Sequence, residues 1–237
     1  MKPFTALLFY LMFLLIPGLV YSQYNPEAYR VERERMVEQQ IAARGIRHKA
    51  TLQAMRKVPR HLFVPQNQVP SAYRDSPLPI GYGQTISQPY IVAFMTEIVK
   101  PEPDHIVLEI GTGSGYQAAV LAEIVKEVYT IEIIPELAES SSILFQALNY
   151  ENIHVKSADG YYGWEEAGPF DAIVVTAAAD HIPPPLIAQL KDGGRMIIPV
   201  GTPFFVQQLM LVERTGEKVT SKNLMPVRFV PFTRSEN

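Results

Sequence analysis

Apolar residues recur along this chain first at helical and then at strand-like spacing, and the change divides the sequence. From Asn25 to about Val58 they follow a helical pattern: Met36, Val37, Gln40 and Ile41, then Gly45, then Ala50, Leu52, Met55 and Val58. Two amphipathic helices are expected there. The mixed charges of RVERERMVEQQ read as a solvated helix face. Pro59 and Pro65 bracket RHLFV and should take it out of helix geometry, because proline constrains its own φ and the residue before it. Residues 66–90, with Pro70, Pro77, Pro79 and Pro89, read as loop. After Pro89, YIVAFMTEIVK is apolar at helical spacing and is stopped by Pro101 and Pro103.

Beyond that point short apolar runs alternate with helical patterns. Ile106 to Ile110, Val128 to Ile133, Ile153 to Lys156, FDAIVVT and GRMIIPV read as strands; Gln117 to Val125, Glu136 to Leu148 and PPLIAQL read as helices. Such alternation implies βαβ crossovers and a parallel sheet covered on both faces. The last stretch loses its helices, and QQLMLVERTG and KVTSKNLMPVRFVPF read as two more strands, added antiparallel at one edge. The expected fold is α/β: a doubly wound, mostly parallel, seven-stranded Rossmann-like sheet with N-terminal helices and an antiparallel edge. The chain divides into a leader (1–22), N-terminal helices with a loop segment (23–100) and a ligand-binding core (101–237).

Composition narrows the chemistry. Among 237 residues, 47% are apolar and 19% charged, which describes a folded domain rather than a disordered chain. The 24 acids and 21 bases give a net charge of −3 with neither sign gathered into a block, so a nucleic-acid footprint is not expected. The chain has no cysteine, which excludes disulfides, thiolate metal sites and cysteine nucleophiles. Lys2, the apolar run Phe4 to Ile16, Pro17-Gly18 and the small residues of Val20-Tyr21-Ser22 read as a secretory signal cleaved before Gln23. A membrane-spanning helix needs about 20 apolar residues, so the run is short for an anchor. An uncleaved anchor, extended through Leu19 to Tyr21, and a start codon placed too early are the alternatives.

The most informative spacing is VLEIGTGSGY, residues 107–116. A strand enters a turn where Gly111, Gly113 and Gly115 let a ligand approach the backbone, and a helix N-terminus follows with free N–H groups. A dinucleotide fingerprint wants G-x-G-x-x-G, but Tyr116 stands at the third position and the glycine sits one residue early. G-x-G-x-G is instead the loop associated with Rossmann-like methyltransferases that use S-adenosyl-L-methionine. Glu132 ends the second strand of the series, where a carboxylate accepts from ribose hydroxyls in either class. Asp159-Gly160 follows the third strand, as an adenine-side contact or as a simple Asp-Gly turn.

Longer segments carry a resemblance. VPRHLFVP (58–65), AYRDSPLPIGYGQTISQPYIVAFMTE (72–97), VLEIGTGSGYQAAVLA (107–122), PFDAIVVTAA (169–178), LKDGGRMIIPVG (190–201) and VRFVPF (227–232) together resemble the protein-L-isoaspartate O-methyltransferases. The glycine loop alone would indicate only a methyltransferase; PIGYGQTISQP and RFVPF are the family-specific parts. The resemblance implies methyl transfer from S-adenosyl-L-methionine to the free carboxylate of L-isoaspartyl residues in damaged proteins, leaving S-adenosyl-L-homocysteine. It implies Ser87 as the active-site serine, and Gln84, Thr85 and Ile86 beside it on the cofactor. Glu109, Gly111, Thr112, Gly113 and Gly115 match the cofactor loop, Glu132 the ribose acid and Asp159 with Gly160 the adenine-proximal pair. Gln88, Val227, Arg228 and Phe229 match the segments that hold the peptide. Partners are then isoaspartyl proteins and peptides, with no nucleic acid and no metal, and a monomer is expected. The family is usually cytosolic, so the leader is a departure: it points to an exported or periplasmic protein, with cytoplasmic or membrane-anchored placement as alternatives.

This chemistry explains an otherwise puzzling shortage of acid–base groups. A carboxylate with a pKa of about 3.3–4 is already ionised at neutral pH, so methyl transfer to it needs no general base. His48, His61, His105, His154 and His181 show no metal-ligand spacing and read as structural or surface residues, His181 being the one best placed to approach the site because it follows the fourth strand. Alignment of the reactants, which lowers a barrier by up to about 7–11 kcal/mol, is what the protein must supply. Ser87 would then orient the carboxylate. A nucleophilic serine would need a histidine base and a G-x-S-x-G elbow, which the chain lacks. An exported domain that binds a nucleoside or damaged protein without turnover, or a methyltransferase with another substrate, are the other readings.

Overall fold

The computed structural model describes residues 27–202 and 205–234. The leader expected over 1–22 lies outside the described residues. Helix α1 (Arg30–Arg35) runs on through a π turn (Met36–Ile41) and a 3-10 turn (Ala42–Arg44). Gly45, at φ 101, ends it in the left-handed region that favours glycine at a helix end. Helix α2 (Lys49–Lys57) follows and stops before Pro59.

Two expectations for the next segment need correction. RHLFV leaves α geometry but not helical geometry altogether, because Arg60–Phe63 forms a 3-10 helix. The stretch read as loop contains a second 3-10 helix (Gln66–Ser71) and a hairpin of β1 (Leu78–Gly81) with β2 (Gln84–Ile86). Leu78 pairs with Ile86 and Gly81 with Gln84, leaving Tyr82 and Gly83 as the turn. Both take positive φ, 53 and 70, the combination that matches a tight two-residue turn to strand twist. Strands this short have no period to read. Helix α3 (Pro89–Ile98) starts directly after the hairpin, with proline at its first position where no N–H is needed.

The main sheet contains β3 (Ile106–Ile110), β4 (Glu127–Glu132), β5 (Ile153–Ser157), β6 (Phe170–Val175), β7 (Leu190–Val200), β8 (Gln207–Thr215) and β9 (Lys218–Val227). Helices α4 (Tyr116–Ala122), α5 (Pro135–Ala147) and α6 (Pro184–Ala188) connect them. The order is β5-β4-β3-β6-β7-β8-β9. Pairings from β5 to β7 are parallel, and β8 and β9 add antiparallel at the edge, as the sequence leads one to expect.

Side-chain alternation along the strands builds two cores. Val107, Val128, Ala172 and Val174 face one way, packing with Met36, Met55 and Val92 from the N-terminal helices and Val120 of α4. Leu108, Ile110, Ile131 and Ile173 face the other way, packing with Leu186 of α6. Burial on both faces is why these strands read as unbroken apolar runs. Residues on either side of position 100 thus share one core. Among the described residues no helix is long and apolar enough to cross a membrane.

Candidate active site

Strand β3 lies between β4 and β6 in the sheet, so the chain direction of the crossovers reverses there and the strand ends open a crevice for a ligand. The glycine turn fills the carboxyl end of β3. Gly111, Gly113 and Gly115 all have positive φ, at 94, 51 and 85. They serve different ends. A Cβ on Gly111 would strike Thr176 Oγ1, and one on Gly115 would enter the Phe145 ring. Gly115 caps α4 and turns toward α5, whereas Gly111 and Gly113 line the crevice. Gly160 lines it too, and a Cβ there would strike Ile110.

Glu132 ends β4 with 5% of its surface exposed. Its Oε2 accepts from the Gly113 N–H at 2.7 Å and its Oε1 from the Ile134 N–H at 3.0 Å. Two carboxylate oxygens offer about four acceptor positions, so fixing the group in this way leaves capacity for a diol. A cleft of about 60 Å³ beside it is bordered by Gln84, Thr85, Gly111, Gly113, Glu132 and Gly160 among others.

Glu109 is fully buried at the end of β3, and Thr130 Oγ1 donates to its Oε2 at 2.5 Å. Its Oε1 has no hydrogen-bond partner among the described residues. Burial, reinforced by the Glu132 charge and opposed by the Thr130 hydrogen bond, pushes its carboxyl up to about 8. An orphaned buried carboxyl oxygen is costly unless something meets it. Glu109 lines a narrow cleft of about 30 Å³ together with Thr85, Ile86, Ser87, Thr112 and Gly113. The orphaned oxygen and the ribose-type acid fit the cationic and diol ends of S-adenosyl-L-methionine.

On the other side of Ser87 lies a cavity of about 420 Å³. Thr85, Ser87 and Gln88 form one wall, and Val227, Arg228 and Phe229 form another. The expected peptide-binding residues are therefore together. Ser87 borders both this cavity and the narrow cleft, while Thr85 and Thr176 border all three spaces.

Asp159 is held within the protein. Its Oδ1 accepts from Tyr161 N at 3.0 Å, and Arg234 Nε reaches Oδ2 at 2.8 Å with its guanidinium 3.7 Å above the Tyr161 ring. The Asp-Gly turn thus exists alongside any cofactor contact. The C-terminal segment closes over this end: Ala178 N donates to Val230 O and Phe232 N to Ala178 O, both at 2.8 Å, and Val230 to Thr233 border the cleft. RFVPF is accordingly a crossing segment and not the continuation of β9.

Sequence reasoning missed Thr176, Arg44 and Asp75. Thr176 follows β6 at the carboxyl edge, and that rule could have found it; its hydroxyl lies 2.9 Å from Ile110 O and 2.7 Å from Gly111 O. Arg44 borders the acceptor cavity and Asp75 binds Arg44 and Gln88 behind its wall, through tertiary contacts that leave no local pattern. Each histidine has an identifiable neighbour elsewhere: His48 meets Thr51, His61 meets Tyr73, His154 meets Glu127, and His105 accepts from Glu102 N. His181 is exposed and packs edge-on against Tyr161. Glu102, Asp104 and His105 come together near the surface, away from all three spaces.

Comparison with known proteins agrees with this geometry. A protein of Opitutus terrae called protein-L-isoaspartate O-methyltransferase is 55% identical over 226 residues, covering 95% of this chain and 97% of its own. A Polaromonas protein called protein-L-isoaspartate O-methyltransferase 2 is 62% identical over 180 residues, or 76% of this chain and 85% of its own. A solved protein-L-isoaspartate O-methyltransferase superposes with a TM-score of 0.78 at 29% identity, over 84% of this chain and 65% of that one. The family model for protein-L-isoaspartate(D-aspartate) O-methyltransferase matches residues 31–237, and the chain belongs to that family.

Proposed function

We infer that this chain methylates the free carboxylate of L-isoaspartyl residues in damaged proteins, with S-adenosyl-L-methionine as donor. The observation that carries the reading is the meeting of three spaces at Thr85 and Thr176, with Ser87 between the acceptor cavity and the narrow cleft. The cofactor, when bound, supplies a methyl group on a cationic sulfur and leaves as S-adenosyl-L-homocysteine. The methyl ester of an isoaspartyl residue then closes to a succinimide as a backbone amide nitrogen displaces methanol, and hydrolysis of the succinimide returns some normal aspartate.

The residues divide the work. Glu132 and the glycine turn hold the nucleoside, and Glu109 faces the cationic end. Ser87 donates a hydrogen bond that aims the substrate carboxylate, and Val227 to Phe229 hold the peptide backbone. No group has to take a proton, because the acceptor is already ionised at neutral pH. The carboxylate loses its charge as the ester forms. Partly buried apolar walls such as Ile91, Met225 and Phe229 limit the water that stabilises the charged acceptor, which favours the uncharged product.

The test pairs an isoaspartyl peptide with its aspartyl twin and labelled S-adenosyl-L-methionine. Label on the isoaspartyl peptide alone is expected; equal label on both would refute the reading, and cofactor binding without transfer to either would favour a binding domain. We also propose that the chain acts as a monomer without a metal, so turnover should survive a chelator and the protein should sediment as one chain. Export is proposed from Lys2 and the apolar run that follows. Native protein retaining Met1 would contradict cleavage before Gln23.

A further inference from the structure

The turn that carries Ser87 is not held by its own hairpin alone. Asp75, in the segment leading to β1, collects three donors from different parts of the chain. Its Oδ2 accepts from Arg44 Nη1 at 2.6 Å and from Gln88 Nε2 at 2.7 Å, and its Oδ1 accepts from the Tyr90 N–H at 3.2 Å. Gln88 and Tyr90 flank Pro89, the first residue of α3. Tyr90 N–H is one of the donors that a helix start leaves without an intrahelical partner. No cap hydrogen bond comes from the Gln88 side chain, which points to Asp75 instead. A carboxylate is well suited here, since its charge also complements the positive end of the helix.

Arg44 completes the arrangement. Its guanidinium lies 3.5 Å above the Tyr90 ring while Nη1 pairs with Asp75, so it is held from two sides. Arg44, Ser87, Gln88 and Arg228 all border the acceptor cavity, and no acidic residue does among the described residues. Asp75 stands outside that border, with 23% of its side chain exposed. Every donor it binds nevertheless belongs to the cavity wall or to the first turn of the helix behind Ser87.

We propose that Asp75 is a positioning residue for methyl transfer: it fixes Ser87 and Gln88 at the start of α3 and holds Arg44 at the mouth of the acceptor cavity. This rests on the reading of that cavity as the isoaspartyl site. The consequence is specific. Loss of Asp75 should damage the acceptor side and turnover, and leave the cofactor side intact, because Glu132 and the glycine turn make no contact with it among the described residues.

The experiment compares wild type, Asp75→Ala, Asp75→Asn, Ser87→Ala and the Asp75→Ala/Ser87→Ala double variant on the isoaspartyl peptide, with S-adenosyl-L-homocysteine affinity measured by calorimetry. Asp75→Ala should lower kcat at least tenfold and raise the peptide KM, with cofactor-product affinity within twofold of wild type. Asp75→Asn, which keeps an acceptor oxygen, should recover part of kcat. Since Asp75 acts through Ser87, the double variant should be little slower than Ser87→Ala. Wild-type kcat and KM in Asp75→Ala, or losses that multiply in the double variant, overturn the proposal. Should Asp75→Ala fail to fold, Asp75→Asn carries the same test, with unchanged kcat and KM as the adverse result. Hydrogen exchange over residues 84–95 reads the positioning without reference to activity: faster exchange at Tyr90 in Asp75→Asn is expected, and unchanged exchange overturns it. A wild type that methylates neither peptide defeats the functional reading, while the exchange measurement still decides the role of Asp75.

Discussion

Thr130 stands directly opposite Glu109 in the register of β4 and β3, and its hydroxyl donates to the Glu109 carboxyl at 2.5 Å. Thr112 Oγ1 lies 2.6 Å from the same hydroxyl, so the first residue after the turn's leading glycine is tied into the pair. One oxygen of Glu109 is thereby held, while the other is buried with no hydrogen-bond partner among the described residues, in a side chain that borders the narrow cleft.

That environment sets a pH dependence. Burial raises Glu109 from 4.5 to about 8, so the folded protein binds the proton more tightly than the unfolded chain. Its contribution to stability is full below the unfolded value and is lost as pH rises through about 8. Glu109→Gln removes the titration. Melting temperature should fall less between about pH 5 and 8 in the variant than in wild type, because the slope exists only between the unfolded and folded values. Parallel curves would show that Glu109 does not titrate in this window.

Cofactor binding should then be coupled to the same proton. A cationic group entering beside Glu109 favours the ionised form, so binding near pH 7 should release a proton. Calorimetry in buffers of different ionisation enthalpy detects it as a buffer-dependent heat. Glu109→Gln should abolish that dependence, and a wild type with none already would count against the carboxyl's placement at the cationic end.

Glu132→Ala removes the acceptor that Gly113 and Ile134 hold in place. Hydrogen bonds to a charged group contribute about 1.5–3 kcal/mol each, so affinity for S-adenosyl-L-homocysteine should weaken by on the order of 10–100-fold. Peptide KM should change much less, because Glu132 does not border the acceptor cavity. An unaltered dissociation constant would remove Glu132 from the nucleoside site.

Ser87→Ala separates aim from affinity. The hydroxyl lies where the acceptor cavity meets the narrow cleft, so its removal should reduce kcat far more than cofactor affinity. A loss of roughly tenfold or more matches one hydrogen bond to a charged acceptor. Unchanged turnover would reassign the orienting role, with Thr85 and Thr176 as the adjacent hydroxyls.

Periodicity made the sheet legible and left the acceptor side obscure. The run from Val107 to Ile110 is buried on both faces, and that burial is written directly into composition. The glycine turn and Glu132 were readable because strand ends at a switch point are where ligands gather. The hairpin beneath Ser87 was not: its strands pair over three positions, and its turn depends on Tyr82 taking a positive φ that tyrosine rarely adopts. Arg44, Asp75 and Tyr90 converge across 46 positions of sequence (90 − 44) through contacts no local window contains. Family resemblance supplied Ser87 and VRFVPF, which physical patterning alone would have passed over.

The glycines of the turn should separate into two kinds on substitution. Gly115 sits at φ 85 with the Phe145 ring where a Cβ would go, and Phe145 is 2% exposed and edge-on to Tyr150. Gly115→Ala therefore combines a left-handed residue, costing about 1–2 kcal/mol, with overpacking that costs roughly 1–3 kcal/mol. A fall in melting temperature on the order of 5–10 °C is expected for a chain of this size. Phe145→Leu in the same chain should restore part of it by clearing the space. Gly113 has φ 51 and only Ile80 within 4 Å of a new Cβ, at 3.4 Å, but it borders the cleft and donates to Glu132. Gly113→Ala should thus cost less stability and more cofactor affinity. Equal effects of the two variants on melting temperature and on S-adenosyl-L-homocysteine binding would mean that the turn acts as one rigid unit.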